Sequence, residues 1–516
     1  MESQQPTGLS LPVARPSAER ETRWAWGIAA ISLSLACWKA TNAPLTADEA
    51  WSLNHWIQAG WGTIWQDYSA SNNHLLQTFL SALAMALPGA DKLCQRLPAL
   101  LGHGLLLWAT WRWLRATLQT PAWRLTGLAL LAWHPYVLDL AALARGYALA
   151  NGCQYLALTL LLPANPSAQP ARERRQLLLA SALLGLGMMT LPLVGRTFIG
   201  LVGAWLLSYR GPWRALPLRL ACLLGPAIAL VLLGYAGVWQ QLGGGKFYFG
   251  AATLPESLVS VRAVVLYTPQ ILLDYTGNPL LQGPVQAWQS GPWVAVAISD
   301  GYRWLAGAVL GLGVLWGLIS SWSRAGAPSP ARRFLACLAL LLAVGLTLEH
   351  LGLGLALPTM RTWSVLLPVL HALWLLGLES VGQGLVARGG RRLGQAWLLA
   401  WLLHGLLVLS LWDSRTYWEW PDQAVLPQAV AVIEHDLAGR TATVSVGHSW
   451  YYDAVLTTAS HQSASHWQPV VAQTTAHDYL ILSHAHLGPA VEANYEVLAD
   501  FPRHQVIVMR HRPAPL

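Results

Sequence analysis

Long apolar runs, many of them near the length of a bilayer crossing, recur along most of this chain, and arginines gather between alternate pairs of them. A helix needs about 20 apolar residues to span the hydrocarbon core. Runs of this kind cannot be hidden in one soluble core. Only 11% of the 516 residues are charged, against about 25% in a soluble domain. The pattern predicts a polytopic α-helical membrane protein. The formal net charge of +8 does not point to nucleic acid. No basic stripe interleaved with aromatics occurs, and the arginines fall where the positive-inside rule puts them. Cys37, Cys94, Cys153, Cys222 and Cys337 form no close pair and read as small hydrophobes.

The loop charges set the topology. Arg15, Arg20 and Arg23 precede a first span over roughly Trp24–Ala40, so residues 1–23 are expected to be a cytoplasmic tail. The apolar run Leu75–Leu87 covers only about 13 residues, too few for a crossing. Placing it on the outer face as a juxtamembrane helix, with Ala50–Trp65 as another, keeps Arg112, Arg115 and Arg124 inside. Every later arginine cluster then falls inside as well. Between 24 and 412 the reading gives about eleven spans, among them Leu125–Leu140, Ala141–Leu162 and the short Thr197–Leu207. A first outer loop covers 41–96 and a long one covers 240–302. The N-terminus is cytoplasmic and the C-terminus periplasmic. Beyond Asp413 the alternating runs Thr441–Val446, Tyr479–Leu482 and Gln505–Met509 predict strands, and Pro427–Leu437 and Gly488–Leu498 predict helices. Residues 413–516 are thus expected to form a small periplasmic α/β domain. The first span lacks a cleavage site, and no Asn-x-Ser/Thr sequon occurs outside Asn165-Pro-Ser167. The first makes that span a retained anchor rather than a signal peptide, and the second suits a bacterial inner membrane.

Chemistry-bearing residues collect at the outer ends of the spans. Asp48 and Glu49 follow the first span, and acids beside apolar spans usually mark function. Arg145 and Tyr147 lie between the third and fourth spans, and Arg361 between the ninth and tenth. Lys246, Arg262 and Arg303 lie in or just after the long loop. Outer arginines run against the positive-inside rule, and beside a carboxylate they suggest an anionic substrate such as a lipid phosphate. A carboxylate can take the proton of an acceptor hydroxyl as it attacks an anomeric carbon, while cations hold the departing phosphate. Glu349-His350, near the end of the ninth span, could face the same cavity or form an internal ion pair. His448, His461, His466, His477, His484 and His486 match no metal-site spacing.

The ordered set of Asp48-Glu49, Asn72-Asn-His74, Arg96-Leu-Pro, His134-Pro, Ala144-Arg-Gly-Tyr147 and Pro358-Thr-Met-Arg361-Thr-Trp363 resembles the GT-C-fold glycosyltransferases. The resemblance is to the protein O-mannosyltransferase-like family and its bacterial relatives, such as the lipid A aminoarabinose transferases. It covers residues 25 to about 370. The resemblance implies a periplasm-facing transferase that moves a sugar from a polyprenyl-phosphate-linked donor to a glycan, lipid or protein acceptor. It makes Asp48 the general base and Glu49 a helper. His74, Arg145, Tyr147, Arg361, Lys246 and Arg303 become the residues at the donor phosphate and substrate. No Asp-x-Asp lies near the expected cavity, so no metal site is assigned, and at most a weakly held divalent ion is expected. Two other classes remain open at this point: a transporter or flippase of lipid-linked glycans, and a non-catalytic subunit of envelope assembly.

Overall fold

The computed structural model describes residues 16–69, 72–162, 170–241, 251–258, 260, 311–321, 330–353, 355–358, 360–410 and 412–512, with short breaks in the last stretch at 416, 418–419, 421, 439–442, 450–451, 464–466 and 472–476. Lys246, Arg262 and Arg303 lie outside the described residues, as does most of the 240–302 loop.

Helix α1 covers Pro16–Asn42. It starts inside the stretch expected to be a tail, because Pro16 at its first turn supplies a ready helical φ and lacks an N–H that would go unpaired there. Its 27 residues give a rod of about 40 Å. Four short elements then lie across its exit: α2 (Ala47–Ser52), a π turn (Leu53–Ile57), α3 (Trp61–Gln66) and α4 (Leu75–Met85). With 11 residues, α4 reaches only about 17 Å, well short of a membrane core of about 30 Å.

Helix α5 (Lys92–Thr117) is a full-length rod. The expected span Leu125–Leu140 is instead two helices, α6 (Pro121–Ala132) and α7 (Pro135–Ala141). Pro135 causes the break: it disfavours helical backbone at His134 and cannot donate an N–H. The next expected span also starts late, because Ala142–Gly146 form a turn before α8 (Tyr147–Leu161). Helices α9 (Pro170–Thr190) and α10 (Val194–Ser208) flank a break at Leu191-Pro-Leu193. Among the described residues, four helices are long and apolar enough to cross a membrane by length and composition: Trp213–Tyr235, Pro330–Gly352, Leu367–Gly389 and Arg391–Ser410. Several others are apolar but shorter, such as Leu75–Met85 and Val194–Ser208, while the long α5 carries Gln95, Arg96 and His103, all buried against neighbours. The helical part shares one apolar core.

Helices α5 and α8 cross closely at Gly102, where a Cβ would lie 2.3 Å from the Leu149 backbone. Small residues allow such crossings between membrane helices. This crossing carries the 142–146 turn to the place where α1 runs into α2.

Beyond residue 412, five strands form one sheet in the order β2-β1-β3-β5-β4: β1 Val444–His448, β2 Trp467–Val471, β3 Tyr479–Ser483, β4 Tyr495–Phe501 and β5 Val506–His511. The first three are parallel, and β5 runs antiparallel to β3 and β4. The helix expected over Gly488–Leu498 is only Pro489–Asn494, after which the chain becomes β4. This region braces the segment of Asp48: the Ala47 N–H donates to Gln423 Oε1 at 2.8 Å, and Asn54 Nδ2 donates to Thr458 Oγ1 at 3.1 Å.

Candidate active site

Asp48 stands in the first turn of α2, a helix its own sequence starts. Thr46 caps the helix, and Glu49 closes the reciprocal half of the capping box. The Asp48 carboxylate is 18% exposed and meets three partners. Asn72 Nδ2 donates to Oδ1 at 2.6 Å. Arg145 Nη1 lies 3.0 Å from Oδ2, and Arg361 Nη1 lies 3.8 Å from the same oxygen. Burial pushes the carboxyl pKa up, but Arg145, Arg361 and the Asn72 hydrogen bond together outweigh it. Asp48 is left below the ordinary aspartate value.

Glu49, which the resemblance made a helper of Asp48, does not share the arginines that Asp48 meets. It is fully buried and points into the protein. Arg96 grips it with Nε to Oε1 at 2.8 Å and Nη2 to Oε2 at 2.7 Å. The Thr46 and Ala144 backbone N–H groups also donate to it, at 3.0 and 2.7 Å. Arg96 donates in turn to the carbonyls of Ala40, Ala43 and Pro44. One buried pair thus ties the end of α1, the start of α2 and the turn before Arg145 into a single unit. Asp48 and Arg145 each adjoin a residue that it holds.

Arg145 is 2% exposed, and its Nε and Nη1 lack a hydrogen-bond acceptor, although Nη1 is in ion-pair contact with Asp48. Arg361 lies over the Trp420 ring, 5.2 Å from its centroid, a cation–π contact. His74 is buried. Its Nδ1 lies 3.0 Å from the Thr190 carbonyl, and its ring meets Tyr147 edge-on with centroids 5.6 Å apart. Burial, with the Arg145 charge behind it, pushes the His74 pKa down to about 3, so the ring is neutral. Gly146 makes these approaches possible: a Cβ there would lie 2.8 Å from the Thr190 carbonyl oxygen and 3.2 Å from the His74 Cβ.

A cavity of about 330 Å³ opens on these groups. Its polar wall holds Tyr68, His74, Arg145, Tyr147, Arg196, Arg361 and Thr362, and its apolar wall holds Leu191, Pro192, Leu193, Leu355, Ala356 and Pro358. Convergent polar groups in an apolar cleft of this size suit a small ligand or a lipid headgroup. Arg196 was missed by the sequence reading. It follows the Pro192 break, which the expected topology puts on the same side as Arg145, so the rule that singled out the other arginines also covers it. It pairs with Glu349, Nε to Oε2 at 2.6 Å, so Glu349 reaches the cavity through an ion pair. His350 is held instead by the Leu355 carbonyl. Asp139 lies apart, paired with Lys39 at 2.5 Å. Among the described residues no group of three or more His, Cys, Asp or Glu could hold a metal ion.

No family model matches the chain, and no curated protein matches it. Solved structures are similar to it. ArnT from Cupriavidus metallidurans bound to undecaprenyl phosphate is 14% identical, with 97% of this chain and 99% of that one covered and a TM-score of 0.43. The apo oligosaccharyltransferase of Archaeoglobus fulgidus is 14% identical over 92% of this chain and 73% of that one, at 0.46. Its AglB complex with an inhibitory peptide and a dolichol-phosphate is 13% identical over 92% and 72%, at 0.45. These are GT-C-fold structures. The reading of the site that follows rests on the site's own geometry.

Proposed function

We propose that the protein is a membrane glycosyltransferase that moves a sugar from a polyprenyl-phosphate donor to a hydroxyl acceptor on the periplasmic side, with Asp48 as general base. The observation that carries this reading is the pairing of one carboxylate with two arginines that both line one cavity. Asp48 offsets one of the two guanidinium charges, which leaves one for an anion. The unsatisfied N–H groups of Arg145 suit phosphate oxygens. The acceptor oxygen attacks the anomeric carbon, the bond from that carbon to the phosphate oxygen breaks, and Asp48 takes the acceptor proton. The polyprenyl phosphate leaves with its charge held by Arg145 and Arg361.

Arg145, Arg361 and Asn72 together hold the pKa of Asp48 down. An incoming phosphate competes for the same arginines, loosens their hold on Asp48 and restores its strength as a base. Base and phosphate grip are thereby coupled. The test is Asp48→Asn in membranes supplied with polyprenyl-phosphate sugars. Transfer is expected to fall by at least about 100-fold, the scale of a lost general base, while undecaprenyl phosphate still binds. Full transfer by a well-expressed Asn variant would overturn the assignment.

A further inference from the structure

We propose that His74 binds a hydroxyl of the donor sugar rather than the phosphate, through Nε2, a buried acceptor without a hydrogen-bond partner on a residue that lines the cavity. The inference rests on reading this cavity as a lipid-phosphate-sugar site. A carbonyl only accepts, so the contact between Nδ1 and the Thr190 oxygen at 3.0 Å puts the ring proton on Nδ1. Nε2 then carries a lone pair. It is buried and has no hydrogen-bond partner, in a residue 5% exposed that lines the cavity.

A lone pair repels phosphate oxygens, which are acceptors themselves, and the nearby guanidinium of Arg145 opposes a second proton on the ring. What such an atom takes is an O–H or N–H donor. A buried acceptor without a partner is costly, and a bound hydroxyl removes that cost. A site of this kind rejects a ligand that lacks the hydroxyl.

The placement is consistent with this division of labour. Asn72, two residues earlier, holds Asp48 at 2.6 Å, and Asn73 between them donates to the Ile64 and Asp67 carbonyls at 2.9 and 2.8 Å. One pinned loop therefore presents both the residue that holds the base and the acceptor for the sugar. The arginines serve the phosphate end, and His74 reads the ring that follows it.

Purified full-length wild type, His74→Phe and His74→Gln, reconstituted in nanodiscs, would be titrated with undecaprenyl phosphate and with undecaprenyl-phosphate glucose, galactose and mannose. Phe keeps the ring contact with Tyr147 and removes the acceptor. His74→Phe is expected to bind the preferred sugar-bearing lipid about five- to tenfold more weakly, the worth of one hydrogen bond, and to bind undecaprenyl phosphate as wild type does. His74→Gln, whose amide oxygen accepts, is expected to recover most of the loss. An equal loss for both lipids, a Gln variant no better than Phe, or no loss at all overturns the inference. If wild type binds none of the four lipids, the reading of the cavity itself fails.

Discussion

Glu49→Gln tests the claim that a buried ion pair builds the site from behind. The change keeps the size of the side chain and removes its charge. In the native protein Glu49 accepts from two Arg96 nitrogens and from the backbone of Thr46 and Ala144. A glutamine accepts at one oxygen only and turns an NH2 toward at least one of these donors. Arg96, fully buried, is left without a counter-charge. Breaking a buried pair in this way costs about 3–5 kcal/mol. Unfolding entropy of about 2.1 cal/mol/K per residue gives roughly 1.1 kcal/mol/K for 516 residues. The expected drop in the unfolding midpoint is therefore about 3–5 °C. Because Ala144 loses its partner beside Arg145, transfer should also fall by about tenfold or more even well below that midpoint, mainly in kcat. Replacing both Glu49 and Arg96 with leucine should not rescue stability, although an isolated buried pair often tolerates that swap. Here the swap strands the backbone N–H groups of Thr46 and Ala144 and the Ala40 and Pro44 carbonyls that Arg96 serves. Thermal unfolding in detergent, with transfer assayed at 20 °C or so, reads both effects. Native stability and native kcat in Glu49→Gln would refute the account.

Two further outcomes follow from the same geometry. Gly146→Ala forces a methyl group against the Thr190 carbonyl oxygen; the turn shifts, and transfer should fall by about 100-fold, the scale of a displacement of about 1 Å, with secondary structure by circular dichroism unchanged. The pH profile should show no limb from Asp48 or His74 between pH 5 and about 8. A depressed carboxylate supplies its stabilisation above the ordinary value of 3.8 and loses it only as pH falls through the lower folded value. His74, folded with a pKa of about 3, destabilises the protein as pH drops below its unfolded value near 6.5. An acid limb near pH 6 that His74→Gln removes would contradict the neutral ring.

The site was legible where single residues broke a strong rule. Asp48 is an acid next to an apolar span, and Arg145 and Arg361 are cations on the side that the expected topology makes outer, which the charge rule disfavours. Loop charges alone put them on one face, and the structure brings both guanidiniums to within 3.0 and 3.8 Å of one oxygen. The burial of Glu49 was not legible because its partner lies 47 residues away, and nothing local tells a buried acid from an exposed one. The break at His134-Pro135 carried its own signal, which the continuous apolar run outweighed. Strand β2 holds Pro469 and lies at the sheet edge, where proline is tolerated, so a pattern of alternating residues does not find it. Strand β4 follows Pro489–Asn494 without a turn residue between them, and the two together read as one helix.

The hydrogen bond from Ala47 to Gln423 spans 376 residues, and the one from Lys39 to the Asp413 carbonyl spans 374. Trp420, from the same late segment, lies beneath Arg361. During synthesis Asp48 is made early and its helix is capped locally by Thr46 and Glu49, but the contact of Ala47 with Gln423 cannot form until the chain has passed Arg391–Ser410. A polypeptide halted at Ser410 carries the acid and both arginines but none of these three contacts. The order of translation thus delays the completed surroundings of Asp48 to nearly the end of the chain.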